Sequence, residues 1–188
     1  MVEIRRINTA DPLYPQECAL REAVLLQPIG YDMARFRREF SGMEEAFEHF
    51  VAVVRQAAGP RVVGCATLLA GYPAAGVGKL MQMAVDPQRQ GEGIGRGLVV
   101  AIESRAFGEL GLGELFCHAQ LPAMGFYDAL GWETVSDEFT EAGIPHRKMR
   151  LLGPKPSAPP EVEREIGPDL MHGPTPGSLP GTEGDTGA

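Results

Sequence analysis

Hydrophobic and polar residues alternate in short blocks along the first 152 residues of the chain. Apolar runs predict strands at 2–7, 49–56, 61–70, 80–85 and 114–119, with a last pair from WETVSDEF and HRKMRLL. Apolar positions at helical spacing predict helices at 16–27, 32–40, 95–111 and 122–130. This order, β α α β β β α β α β β, indicates an α/β domain with a mixed sheet of about seven strands and about four helices.

The composition changes after residue 152. Residues 153–188 contain half of the chain's 16 prolines, interspersed with Ser, Thr, Gly and acidic residues. Such a segment buries too little apolar surface to offset the entropy lost on ordering. We therefore expect one domain at 1–152 and a Pro/Gly-rich, disordered tail at 153–188.

Charge and cysteine content exclude several classes of partner. The formal net charge of −8 argues against nonspecific nucleic-acid binding and against an anionic membrane surface. Three widely spaced cysteines without a CxxC pair predict neither a disulfide framework nor a zinc site. No signal peptide is visible, and no segment approaches the ~20 apolar residues of a membrane span. We expect a cytoplasmic protein that uses no metal.

The stretch LMQMAVDPQRQGEGIGRGLVV (80–100) places four glycines between two apolar runs. Pro87 lacks an N–H and ends the strand, and the next helix begins near Ile94. The first N–H groups of a helix lack internal partners and carry the positive end of its dipole. Glycines in front of them let a ligand approach the backbone. The pattern predicts a cradle for phosphate, with a tight structural turn as the alternative.

Two common phosphate motifs do not match this stretch. A Walker P-loop ends in GK[ST], whereas Gly95 is followed by Arg96-Gly97. A GxGxxG dinucleotide fingerprint fails in both registers, because its last position is Arg96 or Leu98.

Three segments resemble the GNAT superfamily of acetyl-CoA-dependent N-acetyltransferases. VDPQRQGEGIGRGLV resembles the family's pyrophosphate loop, [RQ]xxGx[GA] after a strand ending in Val-x-Pro. AQLPAMGFYDALGW (119–132) resembles its helix with a Phe-Tyr pair, and EFTEAGIPHRKM (138–149) resembles the Gly-Ile-Pro-His hairpin of one bacterial subgroup. The resemblance covers roughly residues 2–152. It implies a GNAT fold whose central sheet is splayed between strands 4 and 5.

The resemblance also implies acetyl-CoA as co-substrate, with its pyrophosphate on the loop amides and its pantetheine along the preceding strand. The implied contacts are Met83, Ala84, Val85, Gln90, Gly91, Glu92, Gly93, Ile94, Gly95, Arg96, Gln120 and Tyr127. Two of these depart from the family pattern: Gln90 replaces a frequent Arg, and Gln120 a frequent Asn. Arg89 or Arg96 are the candidates to supply the missing charge.

Acetyl transfer to an amine needs a base, an oxyanion donor and an acid for the departing thiolate. Tyr127 resembles the family's general acid, and an unperturbed phenol, pKa about 10, is protonated at neutral pH; a core tyrosine is the alternative. A backbone amide near Met83 to Val85 is the expected oxyanion donor. His118 and His146 are the candidate bases, because both titrate near neutrality.

Other candidates for the chemistry are weaker. Glu133, Glu138 or a chain of waters are alternatives to a histidine base. Cys117 beside His118 suggests a nucleophilic dyad, but successive strand residues point to opposite faces, so we reject it. By the same alternation, either Gln82 or the pair Met81 and Met83 faces the acceptor channel.

The sequence thus predicts an N-acyltransferase in which a primary amine attacks acetyl-CoA directly in a ternary complex. The acceptor is a small molecule or a peptide amine, and the acidic net charge mildly favours a cationic one. A non-catalytic acyl-CoA sensor of the same fold is the second hypothesis, and nucleotide binding through the same loop is the third. We expect no nucleic-acid or membrane partner, and a monomer or homodimer.

Overall fold

The computed structural model describes residues 1–154, so nearly all of the predicted tail at 153–188 lies outside the described residues. Within that range the chain forms eight strands and five α-helices. The strands are β1 Val2–Ile7, β2 Glu48–Gln56, β3 Gly59–Ala70, β4 Val77–Val85, β5 Glu114–Gln120, β6 Glu133–Thr134, β7 Phe139–Glu141 and β8 Ile144–Leu152. The helices are α1 Tyr14–Arg21, α2 Met33–Glu39, α3 Met43–Ala46, α4 Ile94–Glu103 and α5 Met124–Asp128.

Two helices continue with altered winding. A π-helical segment, Glu22–Leu26, and a 3-10 turn, Gln27–Ile29, extend α1. A second π-helical segment, Ser104–Glu109, extends α4. The sequence pattern predicts the full lengths of these segments, but it does not distinguish the wider winding, which depends on local packing.

The eight strands form one mixed sheet in the order β1-β2-β3-β4-β5-β8-β6, with β7 paired to β8. Only β4 and β5 run parallel, and their pairing is limited to Val77–Glu114, Gly78–Leu115 and Lys79–Phe116. Beyond Lys79 the two strands separate. The mixed α/β sheet and its opening between strands 4 and 5 are therefore confirmed.

Two details differ from the sequence prediction. The segment WETVSDEF does not form one strand but two short ones, β6 and β7, which brings the count to eight. Both pair with β8, at Thr134–Met149 and Phe139–His146. The four-residue helix α3 is also absent from the prediction, because one helical turn is too short to show an apolar period.

The sheet separates two apolar cores. On one face α4 packs on the sheet through Leu98, Val99 and Ile102, all completely buried. On the other face, α1 and α2 contribute Cys18, Met33 and Phe36. None of the helices within residues 1–154 is both long and apolar enough to cross a bilayer.

A β-bulge at Gln82 interrupts the alternation of β4. Cys65 of β3 pairs with Ala84 and Thr67 pairs with Met81, so two residues of β4 oppose one of β3. Gln82 has a positive φ of 50°. As a result Met81 packs towards the core under α1, whereas Met83 packs towards the core under α4. The expectation that the two methionines share a face is wrong, because it assumed a regular strand.

A buried ionic cluster joins α1 and α3 beneath the bulge. Arg21, fully buried, donates to both oxygens of Glu44 at 2.8 and 2.7 Å, and Tyr14 donates to the same carboxylate at 2.6 Å. His49 contacts Glu17 Oε1 at 2.9 Å. These contacts keep two carboxylates and a guanidinium paired inside the core, as buried charge requires.

We predict that Glu44→Ala destabilises the fold by about 3–5 kcal/mol, because it leaves Arg21 buried without its main counter-charge. Glu39→Ala is the matched control: Glu39 pairs with Arg35 at 2.8 Å, but at the surface. Its loss should change stability little. Urea denaturation of the two variants measures the difference, and equal losses would contradict a structural role for the buried pair.

Candidate active site

A cleft of about 820 Å³ opens where β4 and β5 separate. The loop after β4 and the start of α4 form one end of the cleft, and α5 forms one wall. The segment 24–29 and the turn between β7 and β8 close the opposite side. The cleft therefore reaches both faces of the sheet through the gap between the two strands.

The loop between β4 and α4 is fixed by Asp86. Its carboxylate accepts a hydrogen bond from the Gln88 backbone N–H at 3.0 Å and from Arg61 at 2.8 Å. It thereby caps a 3-10 turn at Pro87–Arg89. This cap directs the chain back over the ends of β4 and β5.

The four glycines of this loop divide into two pairs with different surroundings. Gly91 and Gly93 have φ of 83° and 79°, values that residues with a side chain rarely adopt. Gly95 and Gly97 lie inside α4, where a Cβ would sit 3.4 Å from the Phe126 ring and 3.6 Å from Ile4. The first pair makes the turn, whereas at the second pair a Cβ would meet only ordinary van der Waals contacts, so packing does not require glycine there.

The N-terminus of α4 faces the cleft without a side-chain cap. Its N-cap residue is Gly93, and none of the described side chains accepts a hydrogen bond from the first turn. Of the two nearby arginines, Arg89 donates to Glu92 at 3.1 Å, whereas Arg96 lines the cleft and has no carboxylate within 4.0 Å among residues 1–154. The open N–H groups and Arg96 together make this end of the cleft attractive to an anion.

The inner edge of β4 is available beyond the point where the strands separate. Pairing with β5 ends at Lys79–Phe116, so the described residues offer the following stretch of β4 no strand partner on that edge. Met83, Ala84 and Val85 line the cleft there, and Gln120 lines it from the end of β5. An extended ligand can therefore use backbone groups of β4 that the sheet leaves free.

Tyr127 lies on α5 at the cleft wall and is 5% exposed. Its ring packs against Phe126 and Trp132, with centroids 5.0 and 5.3 Å apart. Burial raises the pKa of Tyr127 well above 10, and the neighbouring Cys117 thiol acts in the same direction. The phenol is therefore protonated at neutral pH.

His118 lines the cleft from β5, on the opposite face of that strand from Cys117. Its Nδ1 is hydrogen-bonded to a carboxylate oxygen of Glu141, and Lys79 Nζ lies 3.4 Å from the same nitrogen. Because Nδ1–H donates its hydrogen bond to the Glu141 carboxylate, the other ring nitrogen, Nε2, carries the lone pair. None of the described residues hydrogen-bonds to Nε2. A neutral imidazole oriented by a carboxylate can accept a proton.

The pKa of His118 is set mainly by burial and by the charged residues Glu141 and Lys79. Burial lowers it, the hydrogen bond to Glu141 opposes that shift, and the charge of Lys79 adds to it. The net direction is downward, so the imidazole is neutral at physiological pH. Burial also lowers the pKa of Lys79, which the Glu141 charge partly offsets.

His146 also lines the cleft, but one of its ring nitrogens is hydrogen-bonded to the backbone of its own strand, β8. Its Nδ1 donates to the Ile144 carbonyl oxygen at 2.7 Å, and its ring stacks on Phe139. Ile144 and Pro145 of the Gly-Ile-Pro-His sequence belong to β8 rather than to the turn. The turn is Ala142-Gly143, both with positive φ, which is the two-residue hairpin geometry.

The structure places nearly all of the candidate site residues around this one cleft. Glu92 is the exception: its carboxylate binds Arg89, and it does not line the cleft. The acidic alternatives Glu133 and Glu138 are exposed and lie outside the lining. Cys117 packs in the core under α4 and does not contact His118, as the strand alternation predicts.

Two charged lining residues were missed by the sequence reasoning, Glu141 and Lys79. Glu141 is the last residue before the Ala142-Gly143 turn, and the short strand β7 was not recognised. Lys79 precedes the apolar run at 80–85 and falls outside the predicted strand. Among residues 1–154, no group of three or more His, Cys, Asp or Glu side chains is close enough to hold a metal ion.

Comparison with known proteins assigns the class. The acetyltransferase (GNAT) domain model matches residues 25–152. A Bacillus subtilis (strain 168) protein, provisionally named an acetyltransferase, is 30% identical over 149 residues, covering 79% of this chain and 95% of that protein. The chain therefore belongs to the GNAT acetyltransferase family and is an acyltransferase of that family.

Solved structures agree with this fold. Escherichia coli ElaA has a TM-score of 0.66 at 18% identity, over 80% of this chain and 99% of that one. An acyl-CoA N-acyltransferase from Pseudomonas aeruginosa has a TM-score of 0.61 at 20% identity. The alignment covers 80% of this chain and 99% of that one. At these identities the likeness concerns the fold alone.

We predict opposite shifts of the His118 pKa when its two charged neighbours are neutralised. Lys79→Gln should raise the pKa, because a positive charge 3.4 Å from Nδ1 disfavours the imidazolium. Glu141→Gln should lower it, because the carboxylate favours the imidazolium. NMR titration of the His118 ring measures both.

Lys148→Gln is the matched control for this titration. Lys148 pairs with His118 across β5 and β8, but its ammonium lies over the Phe116 ring. The His118 pKa should change little in this variant. Shifts of the same sign for Lys79→Gln and Glu141→Gln would contradict the arrangement.

Proposed function

We propose that the protein transfers an acetyl group from acetyl-CoA to a primary amine of a small molecule or peptide, by direct attack in a ternary complex. The observation that carries this proposal is the uncapped N-terminus of α4, which opens onto the same cleft as the unpaired edge of β4. One end of the cleft suits a diphosphate and the edge suits an extended amide chain. Coenzyme A has both parts.

The loop from Gln90 to Arg96 is the proposed pyrophosphate site, with Met83, Ala84 and Val85 along the pantetheine and Gln120 on the opposite strand. Arg96 supplies the positive charge that Gln90 lacks. The contribution of Glu92 is limited to its backbone, because its side chain pairs with Arg89. A backbone N–H between Met83 and Val85 is the proposed donor to the oxyanion.

His118 is the proposed general base, and Glu141 is the residue that orients it. The Nε2 lone pair accepts the proton that the amine loses as it attacks. His146 remains an alternative base, but its Nδ1 is committed to Ile144 and it has no carboxylate partner among residues 1–154. The His118–Glu141 pair is therefore the better-supported choice.

Tyr127 is the proposed general acid for the departing thiolate. It reaches the gap from the α5 side of the sheet, whereas His118 reaches it from the other face. A thioester held in the gap is thus accessible to an acid on one side and to an amine with its base on the other. The raised pKa of Tyr127 keeps its proton available.

A non-catalytic acyl-CoA sensor of the same fold is the alternative function. It explains the open loop and the free strand edge equally well. It does not explain why a carboxylate-oriented histidine and a protonated phenol line the same cleft. Those two groups favour the enzyme.

We predict that Tyr127→Phe lowers kcat by about 10²–10⁴-fold while acetyl-CoA affinity is retained, because the variant loses only the proton donor. Thiol release in the presence of an amine panel measures turnover, and titration calorimetry measures binding. Tyr31→Phe is the matched control, since Tyr31 lies outside the cleft.

Tight acetyl-CoA binding without transfer to any amine would instead support the sensor. ATP competing as well as coenzyme A would support a nucleotide site. An unchanged kcat in the Tyr127→Phe variant would show that Tyr127 is not the general acid.

A further inference from the structure

Lys79 is a buried cation in the wall of the cleft. It is 8% exposed, and none of the carboxylates in residues 1–154 lies within 4.0 Å of its ammonium group. Buried lysines are normally paired, because removing an unpaired charge from water is costly. The position of Lys79 therefore needs a physical explanation.

The groups that surround Lys79 stabilise its charge only in part. Its ammonium lies 5.9 Å from the centre of the Tyr72 ring and 5.7 Å from that of Phe116. Such contacts favour a cation but leave it without a negative partner. The carboxylate of Glu141 raises the pKa of Lys79 through its charge, but it is hydrogen-bonded to His118. The ammonium group can therefore still pair with an anionic group of a bound ligand.

The position of Lys79 in the sheet would place such an anionic group close to the proposed base. Lys79 belongs to the last β4–β5 pair, at the vertex of the gap. Its ammonium is 3.4 Å from His118, the proposed base. An anionic group bound by Lys79 would therefore lie within a few bonds of an amine that faces His118.

We propose that the acceptor is an amino carboxylate, whose carboxylate is bound by Lys79 while its amine faces His118. This assignment rests on the acetyltransferase function proposed above. The apolar residues Leu25, Ile29 and Ile144 line the same cleft and provide room for an apolar side chain. A polyamine would instead bring a second positive charge towards Lys79, which is unfavourable.

The test compares two series of acceptors with acetyl-CoA, each containing an amino acid, its amide and the amine without the carboxyl group. The first series is leucine, leucinamide and isopentylamine. The second is β-alanine, β-alaninamide and ethylamine. We expect kcat/KM for at least one amino acid to exceed that of its amide tenfold or more. The amine of an amide is the more easily deprotonated, so basicity cannot produce this preference. Lys79→Gln should remove the preference and Lys79→Arg should retain part of it.

Lys148→Gln is the control variant, because it removes the same charge from the same sheet face outside the cleft. It should keep the wild-type preference. An equal fall for acid and amide in Lys79→Gln would indicate a structural lysine and overturn the proposal.

The remaining outcomes separate the two proposals. Transfer to the uncharged amides and simple amines but to neither amino acid would overturn the amino carboxylate while leaving the acetyltransferase intact. Absence of acetyl-CoA binding in calorimetry, together with no thiol release for any acceptor, would overturn the proposed function and the amino carboxylate with it.

Discussion

The structure depends on the point at which β4 and β5 stop pairing. Three parallel pairs hold the strands together as far as Lys79 and Phe116, and the cleft begins where that pairing ends. A backbone left without partners inside a protein is unfavourable unless a ligand or water satisfies it. The gap therefore creates both an opening through the sheet and a line of free hydrogen-bonding groups beside it.

Several features keep this gap open. The bulge at Gln82 twists β4 away from a regular register with β3. Beneath it, Arg21 approaches the Gln82 side chain at 3.4 Å while its charge is held by Glu44. The buried ionic cluster thus supports the irregular strand from below. At the far end, the capped turn at Asp86 sets the direction in which the chain enters α4.

Apolar periodicity predicted the order of elements, and the resemblance to the GNAT family implied the splayed sheet and part of the cleft lining. The sequence could not predict the bulge, since a single extra residue leaves the apolar pattern of β4 nearly unchanged. It also missed Glu141, whose partner His118 lies 23 residues earlier and meets it only through the β8 register. The glycine loop was attributed to a ligand, and the structure adds that Gly91 and Gly93 have the positive φ that the turn requires. Long-range register and packing are not local properties of the chain.

The acidic net charge gives a different expectation from the charges within the cleft. A value of −8 favours a cationic partner when the whole molecule is considered. Within the cleft, however, Lys79 and Arg96 have no carboxylate within 4.0 Å among residues 1–154, and Glu141 is committed to His118. Charges at contact distance in a partly desolvated site outweigh distant surface charges, which solvent and salt screen. The local arrangement, rather than the overall charge, therefore determines which acceptor and which acyl donor the cleft can hold.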